Sequence, residues 1–176
     1  MKGTIHKCLE EMVLEKHGQA VWQKCLLQAG FAKNRDFYPT EDVEEEGSLQ
    51  LILDTAKTLE ISLNELFDDF GEFWCCTYAP KRYSFWYVGV KNAKDFILRL
   101  DNIHSLVGKH FNNAQPPRFG YTWQDPSQTI LRVEYVSSRN LIDLYISLAK
   151  GLGKYFQEEI QIQKLSAHEV ELRFAY

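Results

Sequence analysis

The sequence predicts an α+β fold: a helical N-terminal part followed by a four-stranded antiparallel sheet with one crossing helix. Three observations carry that prediction. Apolar residues recur every three or four positions through the first two thirds of the chain, the period of a helix. After Pro116-Pro117 the period drops to two, that of half-buried strands. A further amphipathic helical stretch then separates two pairs of alternating segments. A chain of 176 residues is expected to form one domain, 1–176, with a helical part over 1–60 and the remaining helices and the sheet over 61–176. The 20 Lys and Arg stand against 24 Asp and Glu, a formal net charge of −4, which counts against a dedicated nucleic-acid binder. No run of 18 apolar residues occurs, so no membrane insertion is expected. The start carries no apolar stretch that reads as a signal peptide. Cys8, Cys25, Cys75 and Cys76 lack Cys-x-x-Cys spacing and read as reduced thiols in a cytoplasmic protein.

Each element has its own signal. Residues 2–17 place Ile5, Cys8, Leu9, Met12 and Val13 at helical spacing, and Gly18 stops that helix. A second helix covers 19–29. Residues 35–45 hold Pro39 and the start of an acidic run, Glu41, Asp42 and Glu44 to Glu46, and read as a solvated loop leading into a helix over 47–60. Ser62 and Glu65 form a capping box that opens a helix reaching 77, which Pro80 is expected to end. Residues 83–90 are too aromatic for a solvent loop and are expected to line a cavity. Asn92 can cap a helix over 93–111. Phe119, Tyr121 and Trp123 alternate, as do residues 130–137, giving two strands joined at Asp125-Pro126-Ser127. Helix 139–156 follows, then strands over 160–165 and 170–174.

Two constellations carry chemistry. Of the five histidines, His6, His17 and His168 read as surface residues, whereas His104 shares a helix face with Ile97, Leu100, Val107, Gly108 and Phe111. An imidazole in an apolar stripe needs its nitrogens satisfied. His104 is either a core histidine bonded to backbone or an axial metal ligand, with Gly108 leaving room for a flat ligand. In Tyr135-Val136-Ser137-Ser138-Arg139, strand alternation sends Tyr135, Ser137 and Arg139 to one side. A phenol, a hydroxyl and a guanidinium suit carboxylates, although the same pattern also serves ordinary cross-strand pairs. An axial imidazole and a carboxylate clamp together meet the needs of a haem. No hydrolase, phosphate-loop or kinase motif competes, and an enzyme is not expected.

With these residues the sequence resembles the haem-nitric oxide/oxygen binding (H-NOX) family, related to the haem domain of soluble guanylate cyclase. The resemblance spans the chain. It runs from Met1-Lys2-Gly3 through Phe70-Gly71-Glu72-Phe73-Trp74 and Leu100-Asp101-Asn102-Ile103-His104 to Pro116-Pro117-Arg118-Phe119, Tyr135-x-Ser137-x-Arg139 and the Gly151–Phe156 helix end. It implies one non-covalent haem b per chain, with His104 as the axial iron ligand and Tyr135, Ser137 and Arg139 on the propionates. Pro117 would press on the porphyrin, and Ile5, Leu9, Trp74, Leu144 and Leu148 would line the distal face. Glu45 falls where some relatives pair an acid with the arginine. Oxygen-binding relatives carry a distal tyrosine where this chain has Leu144, and some relatives carry a cysteine-rich zinc site that has no counterpart after Cys76.

The resemblance therefore implies a cytoplasmic ferrous-haem sensor of nitric oxide, also binding carbon monoxide. Weakening of the Fe–His104 bond would signal to a separate histidine kinase or cyclic-di-GMP enzyme. The alternatives are an oxygen-binding haem sensor, a non-haem module for an apolar ligand, and a thiol redox module built on Cys75-Cys76.

Overall fold

The structure, a computed structural model, describes residues 1–111 and 113–175. The chain forms two compact units, Met1–Leu66 and Phe67–Tyr176.

The first unit is helical. Helices α1 (Gly3–His17) and α2 (Gln19–Gln28) meet at Gly18. The φ of 84° there suits glycine, and its amide donates to the carbonyls of Val13 and Leu14. Helix α3 (Glu45–Leu59) begins two residues earlier than the apolar spacing predicts. Its first turn takes in Glu45 and Glu46, where the helix dipole favours negative charge. The core joins Cys8, Leu9, Met12 and Val13 of α1 to Trp22, Cys25 and Leu26 of α2, with Leu51 of α3 and Phe37 from the preceding loop. Helix α4 (Leu63–Phe73) opens on the expected box. The Ser62 amide donates to the Glu65 carboxylate at 2.8 Å, and the Glu65 amide donates to the Ser62 hydroxyl at 3.2 Å.

In the second unit the helical path does not stop before Pro80. Trp74–Tyr78 widen into a π turn, with the Ala79 amide reaching back to the Trp74 carbonyl. Pro80 then stands in the first turn of a short α5 (Ala79–Arg82), where its missing N–H leaves no helical bond unmade. The aromatic segment that follows lies on the surface more than expected. It forms a 3₁₀ turn over Ser84–Trp86, with Trp86, Tyr87 and Val90 packed on the core but Phe85 and Val88 59% and 75% exposed. A tight turn cannot direct every side chain inward, so its excess of apolar residues faces outward.

Helix α6 (Ala93–His110) is capped by Asn92, whose side-chain oxygen accepts from the Asp95 amide at 2.7 Å. Strands β1 (Arg118–Trp123), β2 (Ile130–Val136), β3 (Ile160–Lys164) and β4 (Glu169–Phe174) form an antiparallel sheet in the order β1-β2-β4-β3. The Asp125 carboxylate accepts from the Thr129 and Ile130 amides and closes the β1–β2 turn. Helix α7 (Ile142–Phe156) crosses from β2 to β3. Leu131, Val133 and Tyr135 of β2 alternate into the core with Val170 and Leu172 of β4, and meet Ile97 of α6 and Ile142, Tyr145, Ala149 and Leu152 of α7. Helix α7 starts three residues later than expected. The Arg139 amide donates to the Ser137 hydroxyl at 3.2 Å and Asn140 turns to a φ of 53°, so the chain bends before entering the helix.

Candidate functional site

The second unit holds its helices close. A Cβ on Gly71 of α4 would stand 2.3 Å from the Ser147 carbonyl oxygen, and one on Gly151 of α7 would stand 2.3 Å from that of Gly71. Only glycine permits this approach. Beside it Ser147 donates to Asp68 at 2.5 Å, Lys150 pairs with the same carboxylate, and Lys154 pairs with Glu72. Trp74, Leu144 and Leu148 thus belong to two helices that are locked together.

Helix α6 is tied to β1 along its length. Tyr121 donates its hydroxyl to the Ile97 carbonyl at 2.7 Å. Asp101 accepts both arms of the Arg118 guanidinium at 2.7 Å and the Phe119 amide at 2.9 Å, and with Arg118 as the main cause its carboxyl is held at about 2. One turn on, the Nδ1 of His104 donates to the Pro117 carbonyl at 2.8 Å, and its ring centroid lies 5.3 Å from that of Phe119. Burial lowers the affinity of His104 for a second proton, more than its backbone bond and the nearby Asp101 raise it. The ring is therefore neutral, with one nitrogen committed to a backbone acceptor and Nε2 carrying the lone pair. That is the state in which an imidazole binds a metal. Gly108 is exposed, and a Cβ there would lie 3.8 Å from the Pro116 ring, an ordinary contact, so packing against the chain before β1 does not itself require glycine. Phe111 is also exposed, because the apolar stripe leaves the core as the helix ends.

Tyr135, Ser137 and Arg139 come together, but by a route other than strand alternation. β2 ends at Val136, and Ser137 and Arg139 belong to the bend that follows. The Tyr135 phenol, pushed up by burial, is held by the Ser137 hydroxyl and the Leu141 backbone. Arg139 donates to the Gln115 carbonyl at 2.6 Å, just before Pro116-Pro117. In register, Tyr135 faces Phe119 across the β1–β2 pair. The imidazole on α6 and the phenol–hydroxyl–guanidinium set at the end of β2 and in its following bend are thus both mounted against the start of β1. This donor set fits a haem: a neutral nitrogen for iron and a cationic, hydrogen-bonding group for propionates.

Trp74 is half-buried and stacked between Phe70 at 5.8 Å and Tyr78 at 5.4 Å. Leu144 and Leu148 are half-buried. Tyr145, one residue on, is buried in the core with its ring 5.0 Å from Phe119 and 6.2 Å from Tyr135, and its hydroxyl has no hydrogen-bond partner. In the first unit Leu9 is buried in the core of that unit and Ile5 is half-buried. Glu45 Oε2 lies 3.2 Å from the Met1 amino nitrogen. His6 departs from the expectation of a surface residue: it is 2% exposed, stacked on Phe37 at 4.8 Å and bonded to the Ser48 hydroxyl at 2.9 Å. Its helical neighbours Leu9 and Val13, at i+3 and i+7, carried the signal. Cys75 is buried and Cys76 exposed, and burial pushes both thiols up, against thiolate chemistry.

The haem-NO-binding family model matches residues 2–164. Soluble guanylate cyclase gcy-34 of Caenorhabditis elegans is 21% identical over 160 residues, which cover 88% of this chain and 23% of that protein. The chain thus spans about a quarter of the length of that relative. An oxygen-binding H-NOX domain related to soluble guanylate cyclases, solved as its oxygen complex, superposes with a TM-score of 0.85 at 22% identity, covering 100% of this chain and 96% of that one. An H-NOX protein from S. oneidensis in the Fe(II)NO ligation state gives 0.86 at 22% identity, with full coverage of both chains. The family match defines a haem-binding gas-sensor domain. The chain belongs to the haem-NO-binding, or H-NOX, family.

Proposed function

We propose that this chain is a nitric oxide sensor that holds one haem b through His104 and passes its state to a separate signalling protein, a histidine kinase or a cyclic-di-GMP enzyme. The observation that carries the reading is the 2.8 Å bond from His104 Nδ1 to the Pro117 carbonyl, which presents Nε2 for ligation. When bound, ferrous haem supplies the iron that takes the gas, and loss of its bond to His104 is the signal the reading requires. Arg139, Ser137 and Tyr135 would hold the propionates, and Pro117 would bear on the porphyrin.

The protein's part in signalling lies in how His104 is mounted. Asp101, Arg118 and Tyr121 anchor α6 to β1, so an imidazole released from the iron would move against a held strand. Leu144 and Leu148 offer no hydrogen-bond donor, Tyr145 lies in the core with its ring on Phe119 and Tyr135, and the indole of Trp74, a donor, is stacked with Phe70 and Tyr78. A leucine where oxygen-binding relatives place a tyrosine favours nitric oxide and carbon monoxide over oxygen, whose bound form needs a donor. No catalysis by the chain itself is proposed.

Replacement of the ligand tests this. His104→Gly yields haem-poor protein whose haem content and ferrous spectrum return on adding imidazole. Haem content and spectrum equal to those of the wild type, with no response to imidazole, would make His104 a core residue and overturn the reading.

A further inference from the structure

Between residues 79 and 99, outside the proposed haem-binding residues, the chain carries five Lys and Arg and one Asp, a local charge of +4 within a protein of net charge −4. The same segment exposes its largest apolar side chains at a turn. Phe85 is 59% and Val88 75% exposed, and Gly89, at a φ of 72°, makes the tip. Trp86 is half-buried against the core beneath them. Arg99, reaching over from α6, donates to the carbonyls of Val88 and Gly89 at 3.3 Å, so a guanidinium stands at the tip itself. Those acceptors are neutral, and the charge of Arg99 is not cancelled by them. Lys81 and Lys91 flank the turn, both exposed.

We propose that this turn docks the protein on an anionic membrane surface. The arrangement is convex, with apolar side chains outermost, an indole just behind and cations around them. An apolar tip ringed by Lys and Arg matches the depth profile of a bilayer: acyl region, interface, charged headgroups. Charge complementarity selects the leaflet, since Lys and Arg are drawn to anionic headgroups and each strengthens binding about fivefold. The contact is peripheral and reversible. Among the described residues no helix is long and apolar enough to cross a membrane.

Co-sedimentation of the full chain with vesicles tests the proposal. Binding is expected to vesicles of equimolar phosphatidylcholine and phosphatidylserine, falling away as salt is raised. Little is expected to phosphatidylcholine alone. K81E/K91E weakens binding by about 25-fold or more. F85S/V88S weakens it by removing the apolar anchor and leaves the ferrous spectrum of haem-loaded protein unchanged. Absence of binding to the anionic vesicles, equal binding to both compositions, or binding indifferent to both variants would overturn the proposal. None of these readouts depends on gas preference or on His104.

Discussion

Buried His6 and half-buried His104 make the most instructive comparison in the molecule. His6, in the helical unit, and His104, in the sheet unit, both lose affinity for a proton through burial. Their mountings differ. His6 lies flat on Phe37 with Nε2 bonded to Ser48, inside a unit whose other buried groups belong to its packing. His104 is held through Nδ1 by a backbone carbonyl just before β1, with its ring against Phe119, which Tyr135 faces across the β1–β2 pair. Both rings pack on a phenylalanine, but His6 bonds through Nε2 to a side chain, whereas His104 bonds through Nδ1 to the backbone, which orients its ring from behind and leaves Nε2 as the lone-pair nitrogen. The proposed roles follow from that contrast rather than from burial.

The contrast can be broken with acid. Burial holds His6 at about 4 against an ordinary 6.5, so between these values the unfolded chain takes up a proton that the folded one refuses. Stability contributed by neutral His6 is complete above pH 6.5 and is lost as pH falls toward 4, by about 3 kcal/mol at a rate near 1.4 kcal/mol per pH unit. Urea unfolding at pH 7 and pH 4 should therefore show a steeper loss for the wild type than for His6→Phe. Equal slopes would mean that His6 is more open to water than its mounting indicates.

At Arg139 the expected effect is somewhat smaller and concerns haem rather than folding. Arg139→Ala removes a charge-assisted contact, about 2 kcal/mol of haem affinity, or roughly a 30-fold faster transfer to a competing apoprotein. Transfer at the wild-type rate would take Arg139 out of the propionate clamp.

Much of this was legible in the sequence. The 3.6-to-2 change of period located the sheet, the Ser62–Glu65 box and Asn92 fixed two helix starts, and the histidine, proline pair and Tyr-x-Ser-x-Arg pointed to the family. What escaped depended on three-dimensional accounting. The π turn that carries the chain past Pro80 is a hydrogen-bond choice that composition does not reveal. His6 was misjudged because its charged neighbour Lys7 outweighed Leu9 and Val13. Apolar character says nothing about direction, so the cavity lining expected of residues 83–90 fails at the outward-facing Phe85 and Val88. Asp101 was read only as part of the family motif, although it ties His104's helix to β1; its three-residue spacing from His104 was the available signal.

The smallest effect is expected at Tyr145. Its hydroxyl is buried without a partner, so Tyr145→Phe should leave thermal stability unchanged or raise it by up to about 1 kcal/mol. The ring would keep its place on Phe119, and gas binding should not change. A marked loss of stability would reveal a bond that the phenol makes when haem is present, and would sharpen the comparison by giving the sheet unit a second polar anchor.

The central claim concerns which gas the site holds, and one spectrum addresses it. The purified protein, loaded with haem and reduced, is exposed to nitric oxide without oxygen, and a second sample is exposed to air. With Leu144 and Leu148 offering no donor, the account predicts a stable nitrosyl spectrum in the first sample and no lasting oxygen complex in the second. A long-lived oxygen complex in air would contradict it.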